Sequence, residues 1–177
     1  QGFIDCLVVF LLFSFLASGN YIFNDIHDSS NDAQHPIKSQ RPIPSGAIGI
    51  SSAKFLGYFL ILFSLVLSFL NNYEITILFL LYLLVANIYT TRLKYIFPYD
   101  SLCVSTFFLI RLFIGGKVAN VDISIYLLLY IFFTSLFIST LKKISIINTA
   151  DIKSSKYSKI LDNQNEEFPL IHLSYIC

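Results

Sequence analysis

The sequence predicts an all-α, polytopic transmembrane helix bundle, and three observations support this fold class. Of the 177 residues, 55% are hydrophobic and only 13% are charged, about half of the charged share usual in a soluble domain. The mean hydropathy is +0.70. Five apolar runs approach the length needed to cross a bilayer, and the basic residues gather on one side of the topology that these runs imply.

The five predicted helices share one character, which is a run of apolar residues with hardly any polar stripe. They occupy residues 3–23, 52–70, 74–90, 99–115 and 123–141. Flanking Tyr, Ser and Gly residues bring the shorter runs closer to the ~20 residues that hydrocarbon requires. A soluble helix would show a polar face, so these runs favour lipid as their surroundings. We expect one membrane domain over 1–177, with a catalytic loop at 24–50.

The basic residues predict the orientation. Five spans alternate sides, so the segments 24–54, 90–101 and 142–161 share one side of the membrane. That side holds ten basic residues: Lys38, Arg41, Lys54, Arg92, Lys94, Lys142, Lys143, Lys153, Lys156 and Lys159. The opposite side holds only Lys117. Because cytoplasmic loops carry the excess of Lys and Arg, the loop 24–50 is predicted to face the cytoplasm, and we expect the plasma membrane as the location.

The charge and cysteine content give no support for a nucleic-acid-binding protein, a disulfide-stabilised protein or a cysteine metal site. The formal net charge of +1 gives no support for a nucleic-acid partner. The three cysteines are scattered and odd in number, which favours neither a disulfide framework nor a metal site. The chain contains no Met and opens on Gln1 within an apolar run, so we expect it to be an internal fragment of a longer protein.

A polar stretch over 24–46 holds the candidate chemistry. Asn24, Asp25, Asp28 and Asp32 follow the pattern N-D-x-x-D-x-x-x-D. On a helix these offsets place the three carboxylates within about 60° of one another on one face, where they repel. A hard divalent cation shared with a diphosphate would offset that repulsion, which makes Mg²⁺ the expected cofactor. The alternative is a solvated acidic loop; an EF-hand is excluded because its ligand spacing is absent.

Three cationic or titratable residues follow the aspartates. Lys38 and Arg41 can bind phosphate, the first as a point charge and the second as a planar fork, and His35 lies beside them. The alternative is that the two cations only satisfy the positive-inside rule.

Further candidates lie in the later spans. Arg111 is mid-span, where a charge is costly and normally faces a bundle interior. Its expected partner is an acid or a substrate phosphate, and the alternative is a structural lock between Arg111 and a carbonyl or an Asp. Tyr89 and Lys94 stand at the predicted cytoplasmic mouth, where they contact an anionic substrate or form an interface belt. Lys142 and Lys143 stand likewise at the end of the fifth span.

These stretches resemble the UbiA prenyltransferase superfamily. NDIHDSSND resembles its first aspartate-rich motif, and RPIPSG resembles the turn that follows. The His-Pro, Lys and Arg-Pro positions after the aspartates are closest to one branch, the polyprenyl-phosphate phosphoribosyltransferases. YTTRLK, FLIRLFIGG and SLFISTLKK are similar to that branch in order and spacing, so the resemblance covers most of the chain.

The resemblance implies a bundle of about nine transmembrane helices, of which this chain would supply about five. It implies transfer of phosphoribosyl from phosphoribosyl diphosphate to a polyprenyl phosphate, with release of diphosphate. The carboxylates Asp25, Asp28 and Asp32 would be the catalytic residues and would hold Mg²⁺. The implied substrate-binding residues are Asn24, His35, Lys38, Arg41, Tyr89, Lys94, Arg111, Lys142 and Lys143.

Two departures keep alternatives open. The branch has a Glu three residues after a Lys-Arg pair, where this chain has Lys142-Lys143 and then Ile146. The second aspartate-rich motif of the aromatic prenyltransferases is not evident in 142–162. The alternatives are an aromatic prenyltransferase that uses a prenyl diphosphate and a quinone or haem precursor, a truncated inactive copy or scaffold, and a transporter.

Overall fold

The structure, a computed structural model, contains five long helices and no strand among the residues that it describes, which are 2–34, 37–94, 96 and 98–149. Side chains are described as far as Lys143. The helices are α1 (Gly2–Asp32), α2 (Ile50–Asn71), α3 (Tyr73–Ile88), α4 (Tyr99–Ala119) and α5 (Ile125–Thr149). A short 3₁₀ turn at Lys38–Gln40 precedes α2, and a π turn at Tyr89–Leu93 follows α3.

All five helices, α3 counted together with the π turn that follows it (Tyr73–Leu93), are long and apolar enough to cross a membrane, which confirms the predicted fold class. Most of their large apolar side chains are exposed, including Phe3, Phe55 and Tyr126. In water such a surface would be costly, whereas lipid tails cover it without penalty. The helices therefore have the composition and surface of an integral membrane protein.

The C-terminal ends of three helices lie four or more residues beyond the predicted bounds, and one of them is α5, which runs to Thr149 where the prediction ended at residue 141. α1 continues to Asp32 instead of ending near residue 23, so the aspartates lie on helix and not in a loop. Hydrophobicity marks only the part of a helix that lies in lipid, which is why the polar turns were missed. α4 continues through Gly115 and Gly116 to Ala119.

Asn120, and not the glycine pair, ends α4. It adopts a left-handed conformation with φ of 52°, which Asn tolerates better than most residues. The N–H of Val121 then donates to the carbonyl of Gly116 at 2.9 Å, and the N–H of Asn120 donates to that of Lys117 at 3.4 Å. These two bonds form a Schellman motif, which satisfies carbonyls left unpaired at the helix end.

The chain divides into two compact units. The first comprises residues 1–90 with 110–123, and the second comprises 91–109 with the chain from 124 onward. The prediction of a single membrane domain over 1–177 stays a prediction.

In the first unit, α1 and α2 pack antiparallel. The Ser64 hydroxyl donates to the carbonyl of Leu12 at 2.6 Å, and the Phe23 and Tyr58 rings meet edge to face at 4.7 Å. α3 follows α2 after the single residue Asn72, whose side chain accepts the N–H of Glu74 at 2.8 Å. This one-residue connection places α3 antiparallel to α2.

Glycine permits the closest approach of α1 and α2. A Cβ added at Gly19 would lie 2.8 Å from Cγ1 of Ile61 and 2.9 Å from the carbonyl oxygen of Gly57. The second neighbour is backbone, so it can give way only if the helices separate. Small residues at such crossings are typical of membrane helix packing.

Gly19→Ala is therefore expected to destabilise the full-length protein by about 1–3 kcal/mol, since the added methyl overpacks the crossing. Thermal unfolding in detergent measures this effect. The matched control is Gly115→Ala, because a Cβ there meets nothing within 4 Å and gains the helix propensity of Ala. Equal changes in Tm for the two variants would contradict the close approach at Gly19.

In the second unit, two side-chain contacts join the first half of α4 to α5, and several small hydroxyl residues on these helices are buried. Ser101 and Ser105 of α4 are 1% and 0% exposed, and Ser135 of α5 is 8% exposed. The Ser139 hydroxyl lies 3.5 Å from that of Ser101. Lys143 pairs with Asp100 at 2.8 Å, so the start of α4 meets the later part of α5.

Candidate functional site

The aspartates occupy the C-terminal turns of α1, where a helix least favours acidic groups. The macrodipole places partial negative charge at that end, and the last turn contains no basic residue. Asp28 and Asp32 are each only 6% exposed. Buried carboxylates at the negative end of a helix need a compensating positive charge from elsewhere in the chain.

Arg41 supplies that charge from the segment that follows α1. Its Nη1 nitrogen donates to Oδ1 of Asp25 at 3.1 Å and to Oδ2 of Asp32 at 3.0 Å. The Nζ of Lys38 lies 3.8 Å from the other oxygen of Asp32. The structure thus brings together four of the predicted site residues, two acids and two cations.

The segment after α1 is built to return Arg41 to the helix. The 3₁₀ turn ends with the Arg41 N–H donating to the carbonyl of Lys38 at 3.1 Å. The Arg41 carbonyl then accepts from the N–H of Ser45 at 2.9 Å, and the Pro42 carbonyl accepts from that of Ile48 at 2.9 Å. Gly46 provides the positive φ of 78° that this turn requires.

Asp28 lies on the same turns of α1 in a different environment. Its Oδ1 is 3.6 Å from Nδ1 of His27. Among the described residues, no group of three or more His, Cys, Asp or Glu side chains is placed to hold a metal ion. Two carboxylates that converge on one positive charge nevertheless match the donor set of a Mg²⁺ ion that completes its shell with substrate oxygens and water.

Asn24 is held by the π turn after α3. The Thr90 hydroxyl donates to Oδ1 of Asn24 at 3.3 Å, and Tyr89 opens the same turn. π turns within helices are frequent at functional sites. Thr90 was not predicted, because its bond joins residues 66 positions apart; the YTTRLK stretch that contains it was the available signal.

Arg111 lies within the first unit, in the membrane-spanning part of α4. Its guanidinium carbon is 5.7 Å from the centre of the Phe13 ring, and its side chain hydrogen-bonds to the Tyr82 hydroxyl. Phe13 precedes Asp25 on α1 by twelve residues, which is about 18 Å along the axis. Arg111 therefore lies far from the aspartates along the helix, against an aromatic face and a phenol.

The remaining predicted residues divide between the second unit and undescribed positions. Lys94, Lys142 and Lys143 belong to the second unit, where Lys143 pairs with Asp100. His35 lies outside the described residues, as does the side chain of Ile146. Asp100 was not predicted as a site residue, because nothing local marks a partner 43 positions away.

The Asp100–Lys143 pair is mostly buried, with side chains 14% and 19% exposed. Asp100→Asn removes one charge of this mostly buried pair, so it is expected to destabilise the protein by about 3 kcal/mol. The double variant Asp100→Asn/Lys143→Met is expected to recover most of that loss. Thermal unfolding measures both, and an Asp100→Asn variant as stable as the wild type would contradict a structural role for the pair.

The fold and the sequence together identify the chain's family. Five membrane-spanning helices with an aspartate cluster at a helix end define an integral membrane protein with a polar site. A model of the UbiA prenyltransferase family matches residues 2–158, and the chain belongs to this family.

Individual proteins of known name are also similar in sequence to this chain. The decaprenyl-phosphate phosphoribosyltransferase of Mycolicibacterium smegmatis is 32% identical over 161 residues, which is 91% of this chain and 51% of that protein. The protein with that name from Corynebacterium glutamicum is 31% identical, over 90% of this chain and 49% of its own length. The digeranylgeranylglyceryl phosphate synthase of Saccharolobus solfataricus is 33% identical over 60% of this chain and 37% of its own. The chain spans about half the length of the phosphoribosyltransferases that it matches.

Proposed function

We propose that this chain belongs to an integral-membrane transferase that moves a phosphoribosyl group from phosphoribosyl diphosphate to a polyprenyl phosphate. The observation that carries the proposal is the convergence of Asp25 and Asp32 on Arg41, with Lys38 beside them, at the end of a membrane-spanning helix. Acids for a cation and cations for an anion lie together there, which is what a metal-bound diphosphate requires. The similarity to decaprenyl-phosphate phosphoribosyltransferases supports the choice of substrates.

Each residue of the cluster has a role in this proposal. Asp25 and Asp32, with Asp28 beside them, would hold Mg²⁺, which supplies positive charge to the departing diphosphate. Arg41 and Lys38 bind phosphate oxygens and orient the donor. Asn24, held by Thr90, keeps the start of the cluster in place.

The transfer exchanges one bond for another at the anomeric carbon of the sugar. A phosphate oxygen of the polyprenyl phosphate forms a bond to that carbon, and the bond from the carbon to the diphosphate oxygen breaks. The electron pair leaves with the diphosphate. Because the acceptor is already an anion, no strong general base is required.

A second candidate is transfer of a prenyl group from its diphosphate. The similarity to digeranylgeranylglyceryl phosphate synthases, at 33% and 35% identity, favours it. The acidic cluster would bind the leaving diphosphate in the same way, and only the carbon that is attacked would differ. An aromatic acceptor, such as a quinone or haem precursor, belongs to this candidate.

A transfer assay distinguishes the two candidates. Membranes that contain the full-length protein receive ribose-labelled phosphoribosyl diphosphate and polyprenyl phosphate, with or without Mg²⁺. We expect metal-dependent label in the lipid phase. Transfer from a labelled prenyl diphosphate alone would favour the second candidate, and no transfer from either donor would leave an inactive copy as the explanation. The same assay in sealed inverted vesicles of the plasma membrane tests whether the segment 24–50 faces the cytoplasm.

A further inference from the structure

Arg41 occupies the point where the two carboxylates of the proposed metal site converge. One nitrogen, Nη1, is within hydrogen-bond distance of both Asp25 and Asp32. The Asp32 side chain is 9% exposed, so its charge is poorly screened by water. A divalent cation that used both carboxylates would therefore have to displace the guanidinium, because two positive charges cannot share that position.

The surroundings of Arg41 allow its side chain to move while its backbone stays in place. The backbone is fixed by hydrogen bonds to Lys38 and Ser45. The side chain is 44% exposed, and both of its carboxylate partners lie on α1. Rotation about the side-chain bonds is thus enough to exchange a carboxylate for another anion nearby, and a guanidinium fork pairs equally well with phosphate.

The small number of metal ligands in the aspartate cluster gives a reason for Arg41 to exchange its carboxylate partners for a phosphate. The described residues offer no group of three or more His, Cys, Asp or Glu side chains placed to hold a metal ion. A lone Mg²⁺ would gain two carboxylates at most there and would lose the competition with Arg41. A bound diphosphate would favour the cation in two ways. It supplies further oxygen ligands to the cation, and it gives Arg41 another anion to pair with.

We propose that Arg41 is a displaceable counter-ion that couples cation binding to diphosphate binding. In the absence of diphosphate it pairs with Asp25 and Asp32, offsets part of their negative charge and keeps their affinity for a divalent cation low. When a diphosphate binds, Arg41 transfers to its oxygens and the carboxylates accept the cation. The inference rests on the proposed metal and diphosphate site, and it adds that diphosphate binding promotes cation binding there.

The test measures binding, not activity. Mn²⁺, which electron paramagnetic resonance detects directly, is titrated into the purified full-length protein with and without inorganic diphosphate. In the wild type we expect weak Mn²⁺ binding that diphosphate strengthens. Arg41→Gln is expected to bind Mn²⁺ at least about fivefold more tightly than the wild type without diphosphate, and to show a smaller gain when diphosphate is added.

Matched variants separate this effect from general charge and from misfolding. Lys54→Gln removes one positive charge at the exposed start of α2 and is expected to leave Mn²⁺ affinity unchanged. Arg41→Lys keeps the charge but loses the planar fork, so its affinity is expected to lie between those of the wild type and Arg41→Gln. If Arg41→Gln does not fold, the Mn²⁺ affinity of Arg41→Lys becomes the deciding measurement. A Mn²⁺ affinity in Arg41→Lys equal to that of the wild type would then overturn the proposal.

Two results would contradict the inference at different levels. Mn²⁺ affinity that is unchanged or weaker in Arg41→Gln, while Asp25→Asn abolishes binding, would overturn the counter-ion role and leave the metal site standing. Wild-type Mn²⁺ affinity in both Asp25→Asn and Asp32→Asn would overturn the metal site itself, and with it the coupling.

Discussion

Asp25→Asn is expected to reduce phosphoribosyl transfer by about 10²–10³-fold while membrane insertion stays intact. The substitution keeps the size of the side chain and removes the charge that would hold Mg²⁺ against the leaving diphosphate. Asp25 is a suitable position because its side chain is 35% exposed, so the change leaves little buried polar surface unsatisfied. The measurement is the initial rate of label entering the lipid phase, normalised to the amount of inserted protein.

Asp122→Asn is the matched control for this variant. Asp122 is exposed between α4 and α5, and its loss removes the same charge outside the acidic cluster. We expect wild-type transfer from it. If Asp25→Asn lost insertion or thermal stability together with transfer, the acid would have a structural role and the proposed chemistry would lose its main support.

Arg111→Met is expected to reduce transfer by about 30-fold or more without loss of insertion. The guanidinium interacts with the Phe13 ring and the Tyr82 hydroxyl inside a membrane-spanning segment. A charge at such depth is expensive, and it marks an interior site for an anionic substrate by default. A hydrogen bond from a charged group is worth about 1.5–3 kcal/mol, which sets the expected size of the effect if Arg111 binds an anionic substrate.

A structural role for Arg111 predicts a different pattern. Met removes the charge from the span, so insertion should be as good as in the wild type or better. The control is Lys117→Gln, which removes the exposed cation that pairs with Glu74 at 2.8 Å near the end of α4. A large fall in Tm for Arg111→Met, with transfer reduced only in proportion to folded protein, would identify Arg111 as a structural lock.

The helices could be predicted from the sequence because each is a separate apolar run. Hydrophobicity places the helix that lies in lipid, and the structure has a helix at each of the five predicted positions. The same signal fails where a helix leaves the apolar zone, which is why α1 was ended nine residues early. The predicted end of α4 at residue 115 was wrong because glycine is common inside membrane helices, and the backbone of Asn120 ends this helix instead.

The candidate site was predictable in part. The spacing of the aspartates on a helix indicated that they share one face and need a positive charge. The structure supplies that charge from Arg41, which the sequence had marked only as a phosphate ligand. The pairings of Thr90 with Asn24 and of Lys143 with Asp100 join distant residues, so no local pattern could indicate them.

The fate of the two halves of the donor tests the central claim most directly. Phosphoribosyl diphosphate labelled separately in the ribose and in the diphosphate is supplied with polyprenyl phosphate to the reconstituted full-length protein. We expect ribose label in the lipid and diphosphate label in the water, both only with Mg²⁺ and with Asp25 intact. Diphosphate label in the lipid, or ribose transfer that persists without Mg²⁺ or in Asp25→Asn, would contradict the proposed function.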